Sequence, residues 1–255
     1  MNIEFLVTGN LIMATRLLFL GRDRPLSLTT ALWLSAIQLL ALVPLNVTAA
    51  WYLLAGLLPA VNLGLYAREG LLGGKSDGLR FLSLLLLLIV TSVIFAQQFN
   101  PGLRSETHEV VQLLAEHSLL LAWVGQFGAS KVLLISFGLL LLVLEVNFLI
   151  RVIFSLSGMV PDDIAVKAGG ENADGGFTVR EYNAGRIIGI LERMLILFFV
   201  LVDQFTAIAF IIAAKGIARF KELDQREFAE YVLIGTLLST TLAIVVGVVV
   251  KMGLR

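Results

Sequence analysis

Long apolar stretches separated by short polar segments run through most of the chain, and this pattern predicts transmembrane helices. A helix of about 20 apolar residues crosses the hydrocarbon core of a bilayer. Residues 25–67 contain no charged side chain and are too many for one span, and Pro44-Leu45-Asn46 near their middle predicts a tight turn. The stretches predicted to cross the membrane are residues 3–20, 27–43, 47–66, 79–99, 132–154, 185–215 and 231–250.

Polar residues near the ends of these stretches shape the assignments in the N-terminal half. Arg16 lies near the end of the first stretch, where its side chain is expected to reach the interface; an interfacial helix is the alternative for residues 3–20. Residues 68–80 are polar and rich in glycine, and they predict a loop. In residues 105–127, Glu116 and His117 interrupt the apolar pattern, which favours an interfacial or bundle-packed helix over a further span.

The fold class that follows is all-α, a polytopic transmembrane helical bundle with about six to eight spans. We expect residues 1–131 to form N-terminal transmembrane helices plus the interfacial helix. Residues 132–255 are expected to form a second transmembrane domain with a cytoplasmic loop at 158–185. This orientation follows from the basic residues, which are more numerous on the side that holds the loop and the C-terminus.

Composition supports a membrane protein and excludes several functions. The chain is 58% hydrophobic and 15% charged, whereas soluble domains carry about 25% charged residues. Its net charge of zero does not indicate a nucleic-acid partner. The absence of cysteine and the presence of only two histidines argue against a metal site. Because no nucleotide-binding or catalytic motif is present either, the sequence predicts a non-enzyme without a cofactor.

Residues 185–215 form the most unusual predicted span because they carry several ionisable side chains. Such groups are unfavourable in hydrocarbon by a few kcal/mol each, so they normally face protein or water and have a role. Together with polar residues of the preceding span, they form a candidate intramembrane polar network. Its predicted members are Glu145, Asn147, Arg186, Glu192, Arg193, Asp203 and Gln204.

Asp203 lies near the centre of this predicted span, where a carboxylate is least favourable. One interpretation is a proton or cation site coupled to Glu192 or Glu145. The other is a structural residue paired with a basic or amide partner, which we favour because buried charges are usually paired or neutral. By the same argument we expect Arg193 to pair with Glu145 of the preceding span.

Small residues recur every four positions in the last two predicted spans, and they indicate close helix packing. Small side chains let helix backbones approach each other in lipid. Ordinary packing within the bundle is the favoured interpretation, and homo-oligomerisation through these residues is the alternative. The predicted packing residues are Gly185, Gly189, Gly235, Ser239, Ala243 and Gly247.

A charged turn is predicted between the last two spans. Lys215 and Arg219 face the acidic residues Glu222 and Glu230 across a short segment. A solvated turn laced with salt bridges is the favoured interpretation. Docking of an anionic lipid headgroup or of a partner protein is the alternative.

Three segments of the C-terminal half share the order and spacing of a known family: residues 184–193 (AGRIIGILER), 213–223 (AAKGIARFKEL) and 229–239 (AEYVLIGTLLS). Residues 146–151 (VNFLIR) precede them. In these segments the chain resembles the uncharacterised bacterial membrane family called domain of unknown function 3307, over residues 132–250. The resemblance implies a multi-pass protein of the bacterial cytoplasmic (inner) membrane, and it implies no activity.

Two hypotheses for the function follow. The first is a non-catalytic scaffold or subunit of a membrane complex, whose partners are membrane lipids, further copies of the chain or other membrane-protein subunits. The second is a small ion- or proton-coupled transporter or channel that uses the intramembrane carboxylates Glu145, Glu192 and Asp203. The state of Asp203 distinguishes them, because a transport site needs water access whereas a scaffold needs a fixed ion pair.

Overall fold

The computed structural model is all-helical, and its helices follow the apolar stretches of the sequence. In chain order they are α1 (Ile3–Thr15), α2 (Leu28–Leu40), α3 (Ala49–Leu71), α4 (Asp77–Ile94), α5 (Ala129–Ser157), α6 (Val179–Leu201), α7 (Phe205–Ala218) and α8 (Arg226–Leu254). A 3-10 turn, Arg16–Phe19, follows α1. The structure describes residues 2–19, 25–71, 77–96, 101–107, 124–157, 179–218 and 226–255.

Among the residues that the structure describes, four helices have the length and apolar composition needed to cross a membrane, which indicates a membrane protein. They are α3, α4, α5 and the Val232–Leu254 part of α8. Helix α6 is 23 residues long but carries charges in its middle, and the apolar helices α2 and α7 have only 13 and 14 residues. The predicted number of six to eight spans is therefore not confirmed.

Several predicted boundaries differ from the observed helices. Helix α2 ends at Leu40, earlier than predicted, because the chain turns over the next residues. The predicted loop at residues 68–80 is largely helical, since α3 continues to Leu71 and α4 begins at Asp77. Helix α6 begins at Val179, inside the predicted loop at 158–185. The rest of that loop, and most of the helix predicted at 105–127, lie outside the described residues.

The chain divides into two compact units, Met1–Leu144 and Glu145–Gly253. The division falls in the middle of α5, whereas the sequence suggested a boundary at residue 131, in the first turn of that helix. In the first unit, α2 and α3 pack against each other and α1 and α4 pack beside them. In the second unit, α6 and α7 form a helical hairpin and α8 packs against α6.

The core of the first unit is built from aliphatic side chains that recur every three or four residues along α3. Leu54 and Leu58 are fully buried and pack with Leu87 of α4. Between membrane helices such leucines stabilise the fold through van der Waals packing, since lipid is as apolar as the core. The remaining buried members of this core are Ile12, Leu42, Leu45, Ala50, Ile94 and Phe95.

The turn predicted at Pro44-Leu45-Asn46 is confirmed. It is held by a short antiparallel pairing with residues 101–104, in which the Asn46 backbone N–H donates to the Gly102 carbonyl (3.1 Å). The Arg104 backbone N–H donates to the Pro44 carbonyl (2.9 Å). The Trp51 indole donates to the carbonyl of Leu42 (3.0 Å), which fixes the entry into α3. The backbone groups of this turn are thus satisfied without water.

Candidate functional site

A fully buried ion pair joins the end of α3 to the start of α4 in the first unit. The Arg80 guanidinium donates to both carboxylate oxygens of Glu69, at 2.6 and 3.0 Å, and both side chains have no solvent exposure. The backbone N–H of Leu26 donates to the same carboxylate at 2.7 Å. An acid near a helix C-terminus and a base near an N-terminus both oppose the helix dipole. The ion pair between Glu69 and Arg80 compensates for these unfavourable dipole interactions and holds α3 and α4 together.

Arg16 adds a second guanidinium beside this pair. It donates to the Arg80 carbonyl (2.7 Å) and to the Ser83 hydroxyl (3.2 Å). The Phe19 ring lies 5.2 Å from the Arg16 guanidinium and 5.1 Å from that of Arg80, within cation–π range. The Arg16 side chain is therefore not extended away from the protein. Its side chain is 2% exposed and turns inward, where neighbouring helices supply its partners.

Neutral polar side chains form a buried hydrogen-bonded chain between α1, α2 and α3. The Asn62 amide donates to Gln38 (2.8 Å) and to the Ser35 hydroxyl (3.2 Å). The Gln38 amide in turn donates to the Thr15 hydroxyl (2.9 Å), which donates to the Ile12 carbonyl (2.7 Å). All four polar side chains are buried. In hydrocarbon such hydrogen bonds contribute about 0.6 kcal/mol each on average. These side chains therefore determine which helices pair more than they stabilise the fold.

In the second unit, Arg193 of α6 links α5 to α8. Its guanidinium donates to the Asn147 amide oxygen (2.9 Å) and to the Ser239 hydroxyl (3.2 Å). Arg193 is 3% exposed and Glu145 is 2% exposed. The structure thus brings Arg193 together with two residues that the sequence singled out, Asn147 for the polar network and Ser239 for packing. The predicted pairing of Arg193 with Glu145 stays a prediction.

Glu192, the neighbour of Arg193, forms an ion pair with Lys215 of α7 at 2.5 Å. The two side chains are 17% and 16% exposed. Lys215 was predicted to belong to a solvated turn facing Glu222 and Glu230. Instead it points back along the α6–α7 hairpin, because the helix break places it beside Glu192. Arg219 and Glu222 lie outside the described residues, and Glu230 is exposed.

Asp203 does not lie in the middle of a span. It forms the turn between α6 and α7, with its side chain 69% exposed and paired with Lys251 of α8. Its φ of +60° is left-handed. The Gln204 N–H donates to the Phe199 carbonyl (2.8 Å) and the Asp203 N–H to that of Val200 (3.4 Å), the two bonds of a Schellman cap. The single span predicted at 185–215 is therefore wrong, because this cap ends the helix.

We expect Asp203→Asn to lower the free energy of unfolding by less than about 1 kcal/mol, since exposed ion pairs contribute little. Asparagine also tolerates the left-handed backbone. Asp203→Val is expected to be more destabilising, because a β-branched residue at positive φ is strained. Thermal unfolding in detergent would compare the two variants. A large loss of stability in Asp203→Asn would show that the carboxylate is buried and essential.

The small residues of α8 pack inside the second unit, as the favoured interpretation predicted. A Cβ on Gly247 would lie 3.0 Å from the Val200 side chain, and one on Gly235 would lie 3.3 Å from Phe154. Ala243 is fully buried. The predicted close contact between the last two spans is confirmed by Gly247 and Val200. Gly189 instead has the Arg193 guanidinium beside it at 3.6 Å, so it makes room for that side chain.

Gly247→Leu is expected to destabilise the protein by about 1–3 kcal/mol, because the added side chain must push α8 away from Val200. The matched control is Gly216→Leu in α7, where an added Cβ would meet nothing within 4 Å. Both changes raise helix propensity by a similar amount. Unfolding temperatures measured in one detergent would separate the packing effect. Equal unfolding temperatures for the two variants would contradict the close contact.

The remaining predicted residues lie apart from these contacts. Arg186 is half-buried on α6 and Gln204 is exposed in the turn after it. Gly185 lies in the same helix, half-buried. Among the described residues, no group of histidine, aspartate and glutamate side chains is arranged to hold a metal ion.

Sequence reasoning missed the polar core of the first unit. Its charged members are Glu69 and Arg80, which appeared to belong to a loop. One signal could have indicated the ion pair. Glu69 and Arg80 have opposite charges and flank a short glycine-rich segment between two apolar stretches. The neutral members, Gln38 and Asn62, are isolated amides within apolar stretches.

The contacts described above pair charged side chains and hydrogen-bond buried polar side chains within each unit. Comparisons of the chain with protein families, with curated proteins and with solved structures found no match to any of them.

Proposed function

We propose that the protein is a non-catalytic, membrane-embedded scaffold or subunit of a membrane complex, in which the charged groups of the helices have a structural role. The observation that carries this proposal is the pairing of charges within each unit. Glu69 pairs with Arg80, and Glu192 pairs with Lys215. A buried ion pair contributes little net stability but specifies which helices meet, which suits a structural element.

The position of Asp203 also favours this proposal over transport. A transport carboxylate must lie along a path through the membrane and bind its ion reversibly. Asp203 lies instead in an exposed turn at one end of the α6–α7 hairpin, paired with Lys251. The residue on which the transport hypothesis depended most is therefore better explained as a surface ion pair that joins the hairpin turn to α8.

An ion- or proton-coupled transporter or channel is the second candidate, and one observation favours it. Glu145 is 2% exposed on α5 and belongs to the same unit as Arg193. Buried carboxylates within spans are frequent components of proton and ion pathways. This candidate would use Glu145 and Glu192 rather than Asp203.

The membrane arrangement that we propose is multi-pass, in the bacterial cytoplasmic (inner) membrane, with about six to eight spans. Helix α6 would be an additional span, because its charged residues Glu192 and Arg193 are turned toward partners within the unit. The resemblance of the C-terminal half to domain of unknown function 3307 supports the bacterial location.

Assembly with partners would use surfaces other than the small residues of α8, since Gly235, Ala243 and Gly247 are occupied inside the second unit. Apolar side chains of α6 remain exposed and offer such a surface to lipid or to another membrane helix. They include Ile187, Leu191 and Phe198. The partners that we propose are other membrane-protein subunits or further copies of the chain.

The experiment that tests this proposal is purification from native membranes in a mild detergent, followed by mass spectrometry of the intact complex. We expect a defined stoichiometric complex that contains other subunits or several copies of the chain. The control is a known complex from the same membranes, which must stay intact under the same conditions. A monomer without protein partners under those conditions would overturn the subunit proposal.

A further inference from the structure

A lipid-facing groove lies between α3 and α4 of the first unit, and it has a volume of about 370 Å³. Ala60, Val61, Gly64 and Leu65 form one wall, with the i, i+1, i+4, i+5 spacing of a single helix face. The leucines of α4 form the opposite wall. These are Leu79, Leu82 and Leu86.

The groove is open, because Gly64 has no side chain and the outer leucines do not close over it. A Cβ added to Gly64 would meet nothing within 4 Å. Leu82 is 59% exposed and Leu86 is 47% exposed, so the groove opens onto the surface of the first unit. The hydroxyl of Ser83, the polar group of the α4 wall, donates to the Arg80 carbonyl at 2.6 Å. The interior surface of the groove is therefore apolar.

Arg68 gives this groove a charged end. It lies in the last turn of α3, lines the groove together with Leu79, and is exposed. From Ala60 to Arg68 the helix rises about 12 Å at 1.5 Å per residue, which is most of the depth of one leaflet of a hydrocarbon core about 30 Å thick. The apolar groove thus extends over most of one leaflet and has a guanidinium at its outer end. A phospholipid has the matching arrangement, with an apolar acyl chain and a charged phosphate at its outer end.

We propose that this groove binds an anionic glycerophospholipid, with one acyl chain between α3 and α4 and the phosphate on the Arg68 guanidinium. Arginine binds phosphate through two parallel N–H donors, and basic residues at the cytoplasmic surface select anionic lipids. The groove side of the hairpin is stiffened by the buried Glu69–Arg80 pair one residue away from Arg68. The site is therefore preformed, and it depends on the chain being embedded in a membrane but not on its role as a subunit.

Native mass spectrometry of the full chain in detergent tests this site, with phosphatidylglycerol and phosphatidylcholine added in separate titrations. We expect the wild-type protein to retain phosphatidylglycerol in preference. Arg68→Gln should reduce that preference by about fivefold, the effect of one basic residue worth about 1 kcal/mol. Gly64→Leu should reduce binding of both lipids, because it fills the channel.

Two matched controls complete the experiment. Gly56→Leu changes a glycine of α3 that also has open space around it but does not line the groove. Lys131→Gln removes an exposed positive charge from α5. Both controls should bind lipid like the wild-type protein, and circular dichroism should show that all four variants are folded. Wild-type binding without preference between the lipids, or equal losses in variants and controls, would overturn the proposal.

Discussion

Replacing Glu69 by glutamine is expected to lower the free energy of unfolding by about 3–5 kcal/mol, the effect of breaking a buried ion pair from one side. Glutamine has the shape of glutamate but leaves the Arg80 guanidinium without its bidentate carboxylate. The Leu26 N–H also loses a charged acceptor. The loop before α2 and the α3–α4 hairpin should loosen together. Unfolding of purified protein in mixed detergent micelles measures the difference.

Two companion variants make the result specific. Glu106→Gln removes an exposed carboxylate from the same unit and should change stability by less than about 0.5 kcal/mol. The double variant Glu69→Leu with Arg80→Met removes both charges, and it should recover much of the loss because apolar replacements of a buried pair are often neutral. If Glu69→Gln is no less stable than Glu106→Gln, the pair does not have the structural role assigned to it.

Arg193→Leu is expected to have the second largest effect, a loss of about 2–5 kcal/mol. The change removes the donor to the Asn147 amide oxygen and to the Ser239 hydroxyl. A hydrogen bond to a charged group contributes about 1.5–3 kcal/mol, and removing the buried charge offsets part of the loss of the two bonds. Because Arg193 joins α5, α6 and α8, we expect the second unit to lose cooperative unfolding, which detergent-phase calorimetry would detect.

The control for this change is Arg186→Leu, a half-buried arginine of the same helix. Arg193→Lys gives a graded comparison, since one ammonium cannot reproduce the fork of a guanidinium. It should be intermediate in stability between the wild-type protein and Arg193→Leu. A stability of Arg193→Leu equal to that of Arg186→Leu would show that the hydrogen bonds to Asn147 and Ser239 are unimportant.

The helices were predictable where the sequence alone determines them. Apolar stretches indicated α3, α4, α5 and α8, and the turn at Pro44-Leu45-Asn46 followed from local chemistry. The helix ends were less predictable, because a helix can continue through polar residues when another side chain pairs with them. Glu69 and Arg80 extend α3 and α4 into an apparent loop for this reason.

The break between α6 and α7 illustrates a different limit. A Schellman cap normally has glycine in the left-handed position, and asparagine is the usual exception. Here the position holds Asp203 within an apolar run, so no local residue indicates that the helix stops. Placing Asp203 at the middle of a span then led to its assignment as a candidate ion site. The pairing with Lys251, 48 residues later, depends on tertiary structure that local patterns do not contain.

The candidate site was predicted in part. Asn147, Arg193 and Ser239 were selected for their polarity or small size, and the structure places them in contact. Their mutual arrangement could not be derived, because it depends on the rotation of α5, α6 and α8 about their axes. The amides Gln38 and Asn62 were missed because a single neutral polar residue in an apolar helix is common and carries no directional information.

The central claim is that the intramembrane charges hold the helices together and do not carry ions. Ion and proton flux in proteoliposomes tests it most directly, with the wild-type protein compared to Glu145→Gln, Glu192→Gln and Asp203→Asn under imposed proton, sodium and potassium gradients. If these charges are structural, none of the proteins should show flux above that of protein-free liposomes. The contradicting result is flux by the wild-type protein that is lost in a folded Glu145→Gln or Glu192→Gln variant. That result would rule out a purely structural role for these charges and establish the transport hypothesis.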